Sequence, residues 1–218
     1  MELLQRVVLN GGIMMWLLVP SSVIAAAYIV QGMISLRRER IVPRRLRLLA
    51  EGVRESEDVD AVRRRLSTER SPLGRVASGL GRAQVESTAE LEREADRLAS
   101  EEMTMLYHKR VGPLALLRNV ALYLGLLGTI LGIMQAFGEF AQGDQRSVEN
   151  LGQGINQALV TTAWGLSIAI PCMVFVHLFR QRLITFEKAV LPEAALAIHR
   201  RASSPQPAAE GARRTAQA

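Results

Sequence analysis

Several polar side chains lie inside long apolar stretches of this chain. They include Thr129 in the second stretch, and Gln157, Thr161 and Thr162 in the third. Within hydrocarbon such side chains tend to face the protein interior or a water-filled cavity, where they find hydrogen-bond partners. None of them titrates near neutral pH. They can therefore solvate or relay a proton, but they cannot hold one.

No arrangement typical of an enzyme accompanies these residues. The apolar stretches contain no Ser/His or Asp pair at helical spacing, and the chain has no phosphate-binding glycine loop. His108, His177 and His199 are too far apart in sequence for metal-ligand spacing. The single cysteine, Cys172, cannot form an internal disulfide. The sequence therefore predicts no catalytic residue, no metal site and no cofactor.

Three apolar runs are long enough to cross a bilayer. They extend over 7–36, 120–138 and 155–176, and none contains a charged residue. A hydrocarbon core of roughly 30 Å needs about 20 helical residues. The first run is too long for a signal peptide and is followed by an arginine cluster that begins at Arg37, which is a stop-transfer pattern. We therefore expect three transmembrane helices in contact with membrane lipid.

The basic residues indicate how these helices cross the membrane. Of 27 lysines and arginines, 18 lie in 37–118 and 7 in 180–218. Cytoplasmic loops carry such an excess, so we expect an external amino terminus and a cytoplasmic carboxyl terminus. The basic segments flank apolar runs and lack interleaved aromatic residues. The sequence therefore predicts no nucleic-acid partner, despite a pI near 10.4.

Together these features predict an all-α membrane protein with long helices that extend into the cytoplasm. Ser71-Pro72 has the pattern of a helix start, and the apolar spacing after it predicts a helix that continues to Gly112-Pro113 and nearly into the second span. Shorter helices are expected over 44–54 and 59–66. The predicted parts are 1–36 (external terminus and span one), 37–117 (cytoplasmic domain), 118–140 (span two), 141–154 (external loop), 155–179 (span three), 180–202 (cytoplasmic helix) and 203–218 (disordered tail).

Small residues form a stripe on each of the last two spans. Span two has Gly125, Gly128 and Gly132, and span three has a set that we predict to pack against another helix: Ala158, Gly165, Ala169 and Pro171, with Thr162 on the same face. Stripes of this kind let helix backbones approach closely. Packing alone accounts for the glycines. For Thr129 and Thr162, packing and a function facing the protein interior both stay open.

These two stretches resemble the ExbB/TolQ/MotA proton-channel family. The segment GLLGTILGIMQAF (125–137) is similar to the core of that family's second helix. The segment GINQALVTTAWGLSIAIP (154–171) is similar to its third-helix pattern. Both occur in order and in the expected spans. MotA-type stators have four spans, so three spans favour the ExbB and TolQ branches.

The resemblance implies a homopentamer around a central pore in the bacterial inner membrane. It implies that Thr129 and Thr162, with Thr161 and Gln157 nearby, lie along a proton pathway. The pore would hold the helix of a single-span partner of the ExbD/TolR type, which supplies the titratable Asp. A TonB/TolA-type protein is a further possible partner. The function implied is a stator subunit that couples proton-motive force to work on the cell envelope.

The chain departs from the family pattern at two positions. Leu122 stands where the family often has proline, and Gln157 stands where some ExbB proteins have glutamate. Glutamine cannot carry a proton, so a titratable group must come from another chain. The alternative interpretation is a three-span scaffold or pore that oligomerises without motor activity.

Overall fold

The protein is described here from a computed structural model, which covers residues 12–44, 46, 48, 69, 71–83, 87–141 and 147–203. These residues form helices and connections, with no β-strand among them. The α-helices are α1 (Met15–Ser35), α2 (Arg38–Ile41), α3 (Pro72–Leu80), α4 (Thr88–Leu106), α5 (Gly112–Ala141), α6 (Ser147–Thr185) and α7 (Leu191–Ser203). Two π-helical turns, Tyr107–Val111 and Phe186–Val190, join α4 to α5 and α6 to α7.

Three helices are long and apolar enough to cross a membrane. They are α1, the continuous helical run Thr88–Ala141, and the run Val148–Arg200. For the described residues, this confirms the predicted all-helical architecture with three helices that are able to span a membrane.

Both π turns end two residues before a proline. Val111 precedes Gly112-Pro113, and Val190 precedes Leu191-Pro192. Proline has no backbone N–H to donate, and its ring clashes with the carbonyl four residues earlier in a regular α-helix. A π turn widens the helix at that point. The two runs can therefore continue through their prolines.

Two predicted boundaries were wrong. The helix that begins at Pro72 ends at Leu80, and a new helix begins at Thr88, so the expected run to Gly112 is interrupted. Gly79 and Gly81 weaken the helix at this point. The loop expected over 141–154 is also shorter than predicted, because α6 already begins at Ser147.

Other predictions fall on residues that the structure does not describe. The short helices expected over 44–54 and 59–66 lie almost entirely there, and so does the tail expected over 203–218.

The start of Pro72–Leu80 is confirmed, since the Ser71 hydroxyl accepts a hydrogen bond of 3.2 Å from the Gly74 amide.

The chain divides into two compact units, and the first contains the three apolar helices. Within this unit α1 lies along α6 in parallel, because Gly12 faces Gln157 and Gly32 faces the ring of Phe179. The α5 helix is antiparallel to α6, since Gly125 faces Gly165 while Gly132 faces Ala158. The α6 helix thus contacts both of the others.

The second unit is a small helical core built from α3, α4 and α7. Six of the nine residues of α3 are buried. They pack against apolar side chains of the other two helices, which are also buried: Ala95, Ala99 and Met103 of α4, and Leu191, Ala195 and Ile198 of α7. Burial of this kind is the main favourable term that holds a short helix in place.

A buried ion pair fixes α3 to α4. The Arg75 guanidinium donates to both carboxylate oxygens of Glu102, with Nε at 2.8 Å from Oε2 and Nη2 bonded to Oε1. The Glu102 side chain is only 8% exposed, whereas that of Arg75 is 44% exposed. The Glu102 carboxylate raises the pKa of Arg75 through this hydrogen bond. Leaving the buried Glu102 carboxylate without its partner should therefore cost more stability than leaving the half-exposed Arg75 guanidinium without its partner.

Replacement of Arg75 by alanine is expected to destabilise the second unit by about 1–3 kcal/mol, because it leaves a buried carboxylate without its donor. Glu102→Ala should cost less, since the half-exposed guanidinium can turn to water. Arg97→Ala is the control, because its partners Glu94 and Glu101 form surface pairs that contribute little. Thermal denaturation of the detergent-purified protein measures all three. Equal effects of Arg75→Ala and Arg97→Ala would contradict this view.

Candidate functional site

The backbones of α5 and α6 meet in a seam of small residues. A methyl group built on Gly165 would lie 2.7 Å from the carbonyl oxygen of Ala121, and one built on Gly125 would lie 3.2 Å from the Gly165 Cα. The first distance is shorter than real methyl groups show, so a side chain on Gly165 would force the two helices apart. The second is tight, so a methyl group on Gly125 would need the neighbouring backbone to shift by a few tenths of an ångström.

The seam continues for several turns on either side of Gly128. A methyl group on Gly128 would lie 2.5 Å from the Thr161 hydroxyl, and one on Gly132 would lie 3.0 Å from the Ala158 Cβ. Gly154, which the sequence analysis did not single out, faces Ala136 at the outer end. The sequence does contain a signal for Gly154, because it lies four residues before Ala158 and so continues the small-residue stripe of span three.

A hydrogen bond crosses the seam at its closest point. The Thr162 hydroxyl donates to the carbonyl oxygen of Gly125 at 3.1 Å. In an α-helix that carbonyl also accepts from the backbone N–H four residues later, which belongs to Thr129. The Thr162 hydroxyl and the Thr129 backbone N–H therefore share one carbonyl as their acceptor.

Both threonine hydroxyls donate a hydrogen bond to a helix carbonyl. Thr129 donates to the Leu126 carbonyl at 2.6 Å, and Thr162 donates to Gly125. Each oxygen keeps lone pairs that can accept from water or from a protonated carboxyl. Both side chains are partly exposed. The site thus presents two partly exposed acceptors, while the third threonine of the seam, Thr161, is fully buried.

Thr161 has a different environment from its neighbour. It is 0% exposed, its hydroxyl donates to the Ala158 carbonyl of its own helix at 2.8 Å, and it packs on Gly128. Of the other residues predicted to pack against a neighbouring helix, Ala169 is buried, whereas Pro171 is exposed. The α6 helix continues through Pro171. The structure thus brings the glycines, Ala158 and both threonines 161 and 162 to the seam, but not Pro171.

Gln157 lies on another face of α6. Its side-chain amide packs on the Cα of Gly12, just before α1, where the backbone has φ of +63°. This conformation and the contact both exclude a larger residue than glycine. Five residues of helix turn Gln157 about 140° away from Thr162. Gln157 and the two threonines therefore do not form one site within this unit, and no sequence signal pointed to Gly12.

No group of acidic, histidine or cysteine side chains that could hold a metal ion occurs in the described part of the chain. The polar side chains at the seam, Thr161 and Thr162, are uncharged.

Comparison with known proteins identifies the fold family. Residues 47–190, about two thirds of the chain, match the model of the MotA/TolQ/ExbB proton channel family. The chain belongs to this family. A MotA/TolQ/ExbB protein is a channel or transport subunit of the membrane and not a member of a known enzyme class. The resemblance noted from the two glycine-containing segments is thereby confirmed.

Several curated relatives are similar over shorter stretches. The Tol-Pal system protein TolQ of Haemophilus influenzae is 34% identical over 101 residues, which are 45% of this chain and 44% of that protein. The biopolymer transport protein ExbB of Salmonella typhimurium is 36% identical over 84 residues, 38% of this chain and 34% of that one. The putative biopolymer transport protein ExbB-like 3 of Synechocystis sp. is 42% identical over 64 residues, 28% of this chain and 30% of that one. The chain spans less than half of the length of these relatives.

Gly165→Ala is expected to destabilise the first unit by about 1–3 kcal/mol, the usual cost of overpacking, because the new methyl group meets backbone atoms of α5. Gly152→Ala on the same helix is the matched control, since nothing lies within 4 Å of a methyl group there. The melting temperature and monodispersity of the detergent-purified variants measure the difference. If Gly165→Ala melts like Gly152→Ala, the seam is not as close as described.

Proposed function

We propose that this chain is a proton-channel stator subunit of an inner-membrane motor. The motor couples proton-motive force to work on the cell envelope, as in ExbB-like energising of TonB-dependent transport or TolQ-like envelope maintenance. Membership of the MotA/TolQ/ExbB proton channel family supports a channel subunit. The observation that carries the motor proposal is the Thr162 hydrogen bond to the Gly125 carbonyl, which also accepts from the backbone N–H of Thr129.

The proposed assembly is a homopentamer in which α5 and α6 line a central pore. The pore holds a single-span partner of the ExbD/TolR type, and a TonB/TolA-type protein is a candidate further partner. The absence of Asp, Glu, Lys or Arg from 155–176 supports this need for a second chain. A carboxylate on the partner helix then provides the group that binds and releases the proton.

The two threonines have a defined chemical part in this proposal. Their oxygens accept hydrogen bonds, so they stabilise water and the protonated carboxyl of the partner. To donate to a carboxylate, each hydroxyl must first release its helix carbonyl, which costs about 1 kcal/mol. The threonines, with the water that they hold, therefore provide the polar surroundings in which the partner carboxyl exchanges its proton.

The proton-motive force supplies enough energy for this cycle. One charge that moves across 100 mV gains about 2.3 kcal/mol. A charged carboxylate is stable only where water and polar groups solvate it, and burial against the apolar wall favours its neutral form. Repeated protonation and release thus bias the partner helices to turn or step within the pore.

In the proposed topology the amino terminus is periplasmic and the carboxyl terminus is cytoplasmic. The parallel course of α1 and α6, with α5 antiparallel, is consistent with it. The second unit, built from α3, α4 and α7, then lies in the cytoplasm. The competing interpretation, a scaffold or pore without motor activity, requires the same seam but no role for the threonine oxygens.

Thr162→Val is expected to lower proton flux by about tenfold, because it keeps the side-chain volume but removes a hydrogen-bonding oxygen, and a hydrogen bond worth about 1.4 kcal/mol changes a rate about tenfold. Flux is measured with a pH-sensitive dye in liposomes that contain this chain and its co-expressed single-span partner. Thr162→Ser should retain most of the flux.

Ser167→Ala is the matched control, since Ser167 is exposed and bonds only the Ala163 carbonyl of its own helix at 2.8 Å. Melting temperature and partner retention show whether each variant is folded and assembled. Unchanged flux in assembled Thr162→Val would favour the scaffold interpretation.

A further inference from the structure

Pro171 leaves one backbone carbonyl of α6 without its regular donor. Proline has no N–H, and in an α-helix residue 171 would donate to the carbonyl of Ser167. The helix stays α-helical through Pro171, and the Ser167 hydroxyl does not turn to this carbonyl, because it donates to the Ala163 carbonyl at 2.8 Å. Hydrocarbon offers no donor, so a backbone carbonyl freed within a span needs a partner from a neighbouring helix or water.

Ser167 lies on a face of α6 that no other described helix of the chain covers. Ser167 and Pro171 are both exposed. Ser167 is two residues, or about 160° of rotation, from Gly165 at the seam with α5. The α1 segment packs on a third face of α6, that of Gln157 and Phe179. A protein donor for the Ser167 carbonyl must therefore come from another molecule.

Tyr123 is an exposed donor on the corresponding face of α5. The residue is 64% exposed, and its hydroxyl forms no hydrogen bond within the described part of the chain. Tyr123 is two residues before Gly125, so it also lies about 160° from the seam. A tyrosine hydroxyl that is removed from water usually finds a partner. The outer face of α5 thus has an unused donor where the outer face of α6 has an unused acceptor.

The donor and the acceptor lie at the same depth along the two helices. Gly125 faces Gly165 across the seam. Because α5 and α6 are antiparallel, Tyr123 and Ser167 are both displaced by about 3 Å from this pair in the same direction. A long helical side chain leans toward the N-terminus of its helix, and a helix carbonyl points toward the C-terminus. The Tyr123 hydroxyl and the Ser167 carbonyl are therefore shifted further to the same side.

We propose that the Tyr123 hydroxyl of one copy donates to the Ser167 carbonyl of the next copy. Within one chain the two groups point away from each other, so the bond forms only between chains. It joins two different surfaces, and a head-to-tail contact of this kind repeats around a ring when the rotation closes. Rotation about an axis normal to the membrane keeps each residue at its depth, as this pairing requires. The inference rests on the homopentamer of the proposed function and names the groups through which neighbouring copies meet.

Cysteine cross-linking of the full chain in membranes tests the contact. Tyr123→Cys and Ser167→Cys are combined in a Cys172→Ala background and treated with a short bismaleimide. We expect a ladder of cross-linked oligomers, because each copy then carries one cysteine for each neighbour, and we expect no ladder from either cysteine alone. Met134→Cys with Ser167→Cys is the matched control, since Met134 is equally exposed on the same face of α5 but lies about 16 Å from Tyr123 along the helix axis.

Tyr123→Phe tests the hydroxyl itself. It should weaken association of the chain by about threefold to tenfold, as expected for loss of one hydrogen bond between membrane helices. Association is measured by energy transfer between labelled copies in liposomes as the protein-to-lipid ratio is lowered. Tyr28→Phe removes a hydroxyl from α1 and is the control without effect. Pro171→Ala restores the N–H that the Ser167 carbonyl lacks, so in that background Tyr123→Phe should have little further effect.

The inference is overturned if the control pair with Met134→Cys cross-links as well as the pair with Tyr123→Cys, or if Tyr123→Phe associates like Tyr28→Phe. It is also overturned if Tyr123→Phe weakens association equally in the Pro171→Ala background, because the acceptor is then another group. Oligomers in native mass spectrometry without the expected cross-link would overturn this contact and leave the proposed homopentamer standing. A monomer would contradict both.

Discussion

The close approach of two helix backbones is the constraint on which the candidate site depends. Gly125 and Gly165 have no side chains to hold α5 and α6 apart, so a carbonyl of one helix lies within hydrogen-bond distance of a hydroxyl on the other. In a membrane, apolar side chains gain little by leaving lipid for each other, so close packing and interhelical hydrogen bonds supply the attraction. The same contact therefore holds the helices together and positions Thr162 beside Thr129.

The polar side chains at the seam are uncharged. The hydroxyls of Thr129 and Thr162 donate to helix carbonyls and keep lone pairs that can accept further hydrogen bonds. Neither hydroxyl titrates near neutral pH, so the proposed function requires a titrating carboxylate from a second chain.

Much of this could be predicted from the sequence, and the exceptions have physical causes. The three apolar runs, the cap at Ser71 and the small-residue stripes depend on local composition and period, so they could be found without coordinates. The contact of Gln157 with Gly12 joins residues that lie about 145 positions apart, so local composition and period could not predict it. The distinction between Thr161, which is buried on Gly128, and Thr162, which crosses the seam, depends on a rotation of about 100° that periodicity alone does not fix.

Native mass spectrometry of the detergent-extracted complex tests the central claim most directly. The chain is co-expressed with a neighbouring single-span protein that carries an Asp near the start of its helix. The account predicts a pentamer of this chain that retains a smaller number of partner chains. A monomer or dimer, or a pentamer that never retains the partner, would contradict it.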